Sequence, residues 1–493
     1  MNQFLTIILS FALRTAFIKI LGNQYTGVSS VFTTVLTMLS LSELGFSTAV
    51  ATALYGPLKE KNILKIRQLM DFYKKAYRAV ALFIFSFGLL LVPFLGYIIK
   101  DVPDIRENIA VIYVFYIIKT ALSYLMIYKT TLLRADQKLY VVKKLEMLCQ
   151  LIRYMAEIIV LIIFRQYMTY LVLEVAATVI QNYIVTRHAE KEYPEAFKKP
   201  DEPLSREDRM SLFRDVKGLS MYKLSGTVGN SIDTMLISSF IDTSSVAVVG
   251  NYTHIKNQIE KVLMQFFTAV IPSVGNLAAE KDDKKQLKVF NRLLYISFLM
   301  VNFCSVSMFV MFTPFINFWL GESYILGLQI AFIIALDFFL YILLQAIASF
   351  RIANGLFVKG QHRPLITAIV NVVFSVLLIR RFGIFGTIFA TVIARLLTQW
   401  YDPYLLYKYI FHDRFRKFYF KYWCYIIIFF GSCALTFWST RMISVNSKFL
   451  TVLINAAACV IIPNIFVLLL TCRTSEFRYV VGLAKRVLHS KGI

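Results

Sequence analysis

Eight basic and six acidic side chains stand inside stretches of this 493-residue sequence that are otherwise apolar. The basic ones are Arg14, Lys19, Lys119, Arg153, Lys223, Lys256, Lys261 and Arg395; the acidic ones are Glu43, Glu157, Glu174, Asp233, Glu260 and Asp337. A charge at the centre of a bilayer costs about 2.5–3.5 kcal/mol on insertion scales, so each must meet an opposite charge, water or a ligand. Arg153 with Glu157, and Lys256 with Glu260, stand one helical turn apart and read as pairs within a helix. Lys19 and Lys119 lie within snorkelling reach of an interface. Arg14, Glu43, Lys223, Asp233 and Arg395 have no opposite charge three or four residues away.

Cations gathered in a wet interior suit an anion, and the planar fork of arginine suits phosphate in particular. Arg14, Lys119, Lys223, Lys256 and Arg395 are therefore the candidates for holding an anionic ligand. Glu43, Asp233 and Asp337 are the candidates for binding a coupling cation or proton. Salt bridging between helices, Arg14 with Glu43 for example, is the competing account. Around His254 the run NYTHIKNQIEK is polar for a spanning helix, and Glu174, Thr178 and Gln181 form a polar stripe on another. His254 has no second ligand at i+4, and none of the six cysteines forms a CxxC pair, so no metal site and no cofactor is expected. Neither HExxH, GxSxG nor a phosphate-binding P-loop occurs, which argues against an enzyme and against a pump driven by ATP.

These residues sit on elements whose nature follows from composition. The chain is 58% hydrophobic and only 17% charged, against about 25% charged in soluble proteins. Apolar runs of about 20 residues recur throughout, long enough to cross about 30 Å of hydrocarbon. Lipid cannot satisfy an open backbone, so such runs must be helices. We expect an all-α polytopic membrane protein with about fourteen spans: 4–21, 27–54, 79–99, 109–128, 147–164, 167–185, 219–240, 247–277, 293–312, 325–349, 364–379, 384–407, 422–440 and 449–471. The first segment, MNQFLTIIL, lacks a basic leader and cleavage site and reads as the first span.

The net charge of +24 has its simplest cause in the enrichment of inner loops in Lys and Arg, not in nucleic acid. With both termini inside, the expected cytoplasmic segments hold 38 of the 53 basic residues and the outer segments seven. The longest loop, 186–218, falls on the basic side. Its Ser205-Arg206-Glu207-Asp208 places an acid three after a serine, a helix-capping pattern, and the following DRMSLFRDVKGLS reads as a short helix on the inner face or as linker. The expected division is 1–185 as an N-lobe of six spans, 186–218 as linker, 219–412 as a C-lobe of six spans, and 413–493 as two added spans and a cytoplasmic tail. An internal repeat supports it. Tyr25-Thr26-Gly27-Val28 opens span two and Val248-Val249-Gly250-Asn251 opens span eight, about 223 residues later, each followed by a basic loop. Paired repeats with a site between them are a common transporter plan.

The stretch ILGNQYTGVSSVFTTVLTMLSLSELGFSTAVATALYGPLKEKNILKIRQLMDFYKKAY (20–77) resembles the N-terminal signature of bacterial oligosaccharide and polysaccharide repeat-unit flippases, a branch of the multidrug/oligosaccharidyl-lipid/polysaccharide exporter superfamily. Arg14, Gly22, Tyr25, Gly27, the LSLSELG block (39–45), Leu54-Tyr55, Pro57-Leu58 and Tyr73-Lys74-Lys75 carry the resemblance, which continues at SIDTMLISSFI (231–241) and VGNY (249–252). It implies two six-helix lobes packed in a V about a cavity that opens to one side at a time. It also implies a cargo, a polyprenyl-pyrophosphate bearing a short oligosaccharide, moved from the inner to the outer leaflet of the bacterial cytoplasmic membrane. Membrane lipid, a polysaccharide polymerase and initiating glycosyltransferases are the partners so implied. Glu43 would then face the interior, holding a cation such as Arg14 or serving ion coupling. The alternatives are an ion-coupled multidrug exporter, for which an acidic cavity is expected; a lipid II flippase, against which the 20–77 motif argues; and a membrane glycosyltransferase or polymerase, for which the outer loops are too short.

Overall fold

Helices begin where Asn, Asp or Ser can satisfy the free N–H groups of a first turn. Asn62 accepts from the Lys65 N–H at 3.0 Å, Asn108 from Ala110 at 2.8 Å, Ser205 from Asp208 at 3.1 Å and Asp282 from Lys285 at 2.9 Å. A computed structural model describes residues 2–40, 46–100, 103–280, 282–356, 360, 362–443, 445 and 447–490; the side chains of 2–4, 48, 214–215, 217–230, 279, 484 and 486–490 are outside that description. Among the described residues the chain is all-α, without strands. The helices are α1 (Asn2–Leu21), α2 (Asn23–Leu39), α3 (Phe46–Lys59), α4 (Ile63–Leu90), α5 (Leu95–Ile98), α6 (Ile109–Ile127), α7 (Thr130–Ala135), α8 (Leu139–Phe164), α9 (Tyr167–Glu192), α10 (Arg206–Phe240), α11 (Thr243–Ala279), α12 (Asp283–Trp319), α13 (Leu328–Leu343), α14 (Gln345–Ala353), α15 (Arg363–Thr398), α16 (Tyr401–Leu406), α17 (Phe415–Arg441), α18 (Lys448–Thr471) and α19 (Ser475–Ser490).

Each of the fourteen expected spans coincides with helix. Span two is divided between α2 and α3, and its LSELG portion, with Glu43, lies outside the described residues. Eight helical segments among the described residues are long and apolar enough to cross a membrane, and α4 with its bent continuation to Ile98 makes a ninth. Spans eleven and twelve form the two legs of α15, which breaks at Gly383 with φ 56°. That positive φ costs a glycine little. The legs run antiparallel: Thr367 meets Thr398 at 2.7 Å and Asn371 donates to Thr391 at 2.7 Å, so pairs 31 and 20 residues apart bracket the bend.

Two compact units divide the chain, Met1–Ala247 and Val248–Ile493. The boundary falls at 247/248, so α10 packs with the first unit, against α2 and α3. Element order repeats: α2 begins at 23 and α11 at 243, α4 at 63 and α12 at 283, so 220 residues separate both pairs. In the first unit α6 lies between α4 and α9, and α1 runs along α8. In the second, α12 packs against α13, α17 and α18. The two helices beyond the repeat attach to it by Phe298 stacked on Tyr425 at 4.1 Å and by Tyr295 bonded to Thr471 at 2.7 Å.

The 186–218 segment is ordered and docked. Ser205 caps α10, and the run after it continues without interruption into span seven instead of forming a separate helix. Arg67 of α4 donates to the Glu195 carbonyl at 2.7 Å and pairs with its carboxylate, and Lys65 pairs with Asp208. Nearby, partial burial alone would raise the Asp136 carboxyl; hydrogen bonds from Lys138 and Tyr193 outweigh it and hold the group below its ordinary value. Beneath them Tyr73, Tyr77, Leu132, Leu204 and Leu212 make a buried cluster.

Gly27, on the repeated glycine position, lets α11 approach α2: a Cβ there would lie 2.1 Å from the Thr243 carbonyl oxygen. Overfilling of that kind costs about 1–3 kcal/mol. Gly27→Ala is expected to lower the unfolding temperature in detergent. Gly56→Ala, where nothing lies within 4 Å of the added carbon, is the matched control and should leave it unchanged or slightly higher.

Candidate functional site

Helical spacing sets the interior charges on shared faces, and packing brings those faces together into one ionic centre in each unit. In the first unit α6 carries Tyr116 and Lys119 one turn apart, α9 carries Tyr167, Tyr170 and Glu174 along one stripe, and α8 carries Arg153 and Glu157. Lys119 reaches across to Glu174 at 2.6 Å. Arg153 and Glu157 pair along their own helix at 3.5 Å, as their spacing predicts, and the Glu157 side chain is only 1% exposed. Glu157 lies within electrostatic reach of both Glu174 and Lys119, so two cations and two carboxylates share the site. A hydroxyl chain flanks them: Ser29 of α2 bonds Tyr116 at 2.6 Å, and Tyr116 meets Tyr167 at 3.2 Å. Arg14, part-buried on α1, adds a positive charge beside the Tyr170 hydroxyl. Among the described residues, Glu157 Oε1 and Glu174 Oε2 are buried oxygens without a hydrogen-bond partner.

The second unit concentrates charge differently. Asp337 of α13, buried, receives Lys256 of α11 at 3.1 Å on one oxygen and Arg395 of α15 at 2.6 Å on the other. Tyr341, one turn beyond Asp337, lies under the Arg395 guanidinium at 4.5 Å from its ring centre. The same helix face thus offers that arginine a carboxylate at its edge and a ring at its plane. One carboxylate serves two cations. Lys256 makes its direct ion pair with Asp337, not with Glu260 as i,i+4 spacing predicts, while Glu260 lies within electrostatic reach of Lys256, Lys261, Arg395 and Asp337. Arg395, which has no local partner in the sequence, is matched by an acid 58 residues away.

Three predicted site residues, Lys256, Asp337 and Arg395, therefore meet. Lys119 belongs to the other unit. Asp233 is part-buried on α10. Glu43 and the side chain of Lys223 lie outside the described residues. Asp337, considered for ion coupling, is engaged by two cations, which changes what it can do. A third pairing, Arg351 and Arg363 on Asp402, ties α14 and the start of α15 to α16. Sequence reasoning places those arginines in a loop; Asp402, close to an apolar run, is the one available signal.

Removing the shared acid takes from two partly buried cations their direct partner and leaves only Glu260 within electrostatic reach; breaking a buried ion pair costs about 3–5 kcal/mol. Asp337→Asn is expected to destabilise the chain by that order in thermal unfolding. Adding Arg395→Met to it should recover part of the loss, because one of the stranded charges is gone. Equal stability of Asp337→Asn and the parent would contradict a structural ion centre.

No protein-family model matches the chain, and no curated protein matches it by sequence. Solved structures do. One is a lipid II flippase, MurJ, in an inward closed conformation, with a TM-score of 0.72 and 11% identity over 95% of this chain and 98% of that one. A second is a multidrug-resistance MATE transporter of the MOP superfamily in an inward-facing conformation, with a TM-score of 0.64 and 13% identity over 80% and 91%. A third is the MATE multidrug transporter DinF-BH, with a TM-score of 0.58 and 16% identity over 84% and 96%. At these identities the likeness establishes the fold: the chain is a multi-pass α-helical membrane protein built like those flippases and transporters.

Proposed function

We propose that this chain translocates oligosaccharide repeat units borne on polyprenyl pyrophosphate from the inner to the outer leaflet of a bacterial cytoplasmic membrane, by alternating access. The observation that carries the reading is the centre on Asp337, where two cations share one buried carboxylate. Glu260 and Lys261 lie within electrostatic reach of this centre, so three cations face two carboxylates; the excess positive charge in a low-dielectric interior favours an anion, and a diphosphate offers one that cannot cross hydrocarbon unaided. Arg14, Lys119 and Lys223 are the remaining cations of the proposed path. The fold shared with a lipid II flippase supports a lipid-linked cargo, and the resemblance at 20–77 supports a repeat unit as its head group.

Lipid II itself is the second reading, favoured by that fold likeness over 95% of the chain. An exporter of organic cations fits less well. Such a pump is expected to carry an acidic cavity, whereas here Asp337 is engaged by Lys256 and Arg395 and Glu174 by Lys119. Glu43 and Asp233 stay the proposed sites for a driving ion. The proposed supplier of cargo is an initiating glycosyltransferase, and the proposed consumer a polymerase acting on the outer face.

The test uses vesicles containing the purified chain and a fluorescent polyprenyl-pyrophosphate disaccharide in both leaflets. A membrane-impermeant reagent should destroy nearly all the signal in vesicles with active protein, and about half in protein-free ones. Arg14→Ala should behave as protein-free vesicles while inserting and unfolding normally. Half-protection with the parent chain would remove the flippase reading, and full activity of Arg14→Ala would remove Arg14 from the path.

A further inference from the structure

The first unit encloses a cavity of about 450 Å³ between α3, α4, α6, α7 and α8. This lies within the range of about 300–1,000 Å³ that small-molecule sites occupy. Its inner end is polar. Lys119, neutralised by Glu174 at 2.6 Å, stands there. The buried Thr131 hydroxyl donates to Tyr73 at 3.2 Å. Ser123 donates to the Lys119 carbonyl at 2.9 Å, which leaves its oxygen free to accept. Its rim is cationic. Arg134 is exposed and has no carboxylate within ion-pair distance among the described residues. Lys143 is 66% exposed and pairs with Glu146 at 2.7 Å. An exposed pair of that kind is held by less than about 1 kcal/mol, so Lys143 can turn to another anion.

Hydroxyls deep inside and a free guanidinium at the rim match a ligand with a hydroxylated body and a phosphate end. We propose that this cavity binds a phosphorylated sugar, its phosphate on Arg134 and Lys143 and its hydroxyls against Tyr73, Thr131 and Ser123. The ligand is either a lipid-borne sugar diphosphate or a soluble nucleotide sugar; the chemistry is the same. Only the lipid-borne source rests on the flippase reading, for which the cavity would be a docking place before translocation.

The experiment measures binding by calorimetry to the full chain in detergent. The probes are a farnesyl-diphosphate-linked N-acetylglucosamine and UDP-N-acetylglucosamine, with free N-acetylglucosamine and inorganic phosphate as controls. At least one of the two phosphorylated sugars is expected to bind saturably, and which one binds names the source. Arg134→Gln should weaken that binding about tenfold or more, and Thr131→Val should weaken it to a smaller degree. Arg134 is exposed, so its replacement leaves folding intact, checked by an unchanged unfolding temperature. Absence of binding by both phosphorylated sugars, equal binding by Arg134→Gln, or equal binding of inorganic phosphate alone would each overturn the site. A chain that translocates lipid in vesicles but binds neither probe loses the cavity and keeps the flippase function. One that binds but fails to translocate does the reverse.

Discussion

An ionised side chain in a membrane must find its opposite, and this constraint organises the molecule. Asp337 shows it most plainly: Lys256, Arg395 and the Tyr341 ring converge on one face of α13. To make that possible α11, α13 and the second leg of α15 must pack at fixed register. The bend at Gly383 returns that second leg antiparallel to the first, locked by Thr367–Thr398 and Asn371–Thr391. The first unit meets the same demand with a balanced set, Lys119 on Glu174 and Arg153 on Glu157, and adds a ladder of tyrosine and serine hydroxyls.

The two centres differ in how the charges meet: separate pairs in the first unit, one carboxylate shared by two cations in the second. In the first unit Arg14 stands beside the two pairs as an added positive charge. In the second unit Glu260 lies within electrostatic reach of Lys256, Arg395, Asp337 and Lys261, so three cations face two carboxylates and leave a positive remainder that water or an anionic ligand must answer. A flippase for a diphosphate-bearing lipid has use for such an imbalance, because it attracts a head group without holding it as tightly as bare arginines would.

Much of the fold was legible because helix in lipid is obligatory and apolar length is easily read. Among the described residues all fourteen spans fall on helix, and the capping at Ser205 and the pair Arg153–Glu157 follow from spacing alone. The site was less legible. The partner of Arg395 is 58 residues away, and that of Lys256 is 81 away; nothing local marks either. Lys256 makes its direct ion pair with a deeper carboxylate on a neighbouring helix and keeps Glu260, a turn along, only within electrostatic reach. In the sequence Glu174 is only part of a polar stripe; its partner, Lys119, lies on α6, 55 residues away. Helical continuity from Arg206 to Phe240 was also missed, since a charged run beside an apolar one reads as two elements.

The central claim is that the protein moves a lipid-linked saccharide across the bilayer. Its most direct test is leaflet sidedness in cells that carry or lack the chain, probed by a sugar-modifying reagent that cannot cross the membrane. The account predicts that lipid-linked oligosaccharide accumulates beyond the reagent's reach only when the protein is absent. Lipid-linked oligosaccharide that stays reachable but unpolymerised in its absence would contradict the account and point to an enzyme of assembly instead.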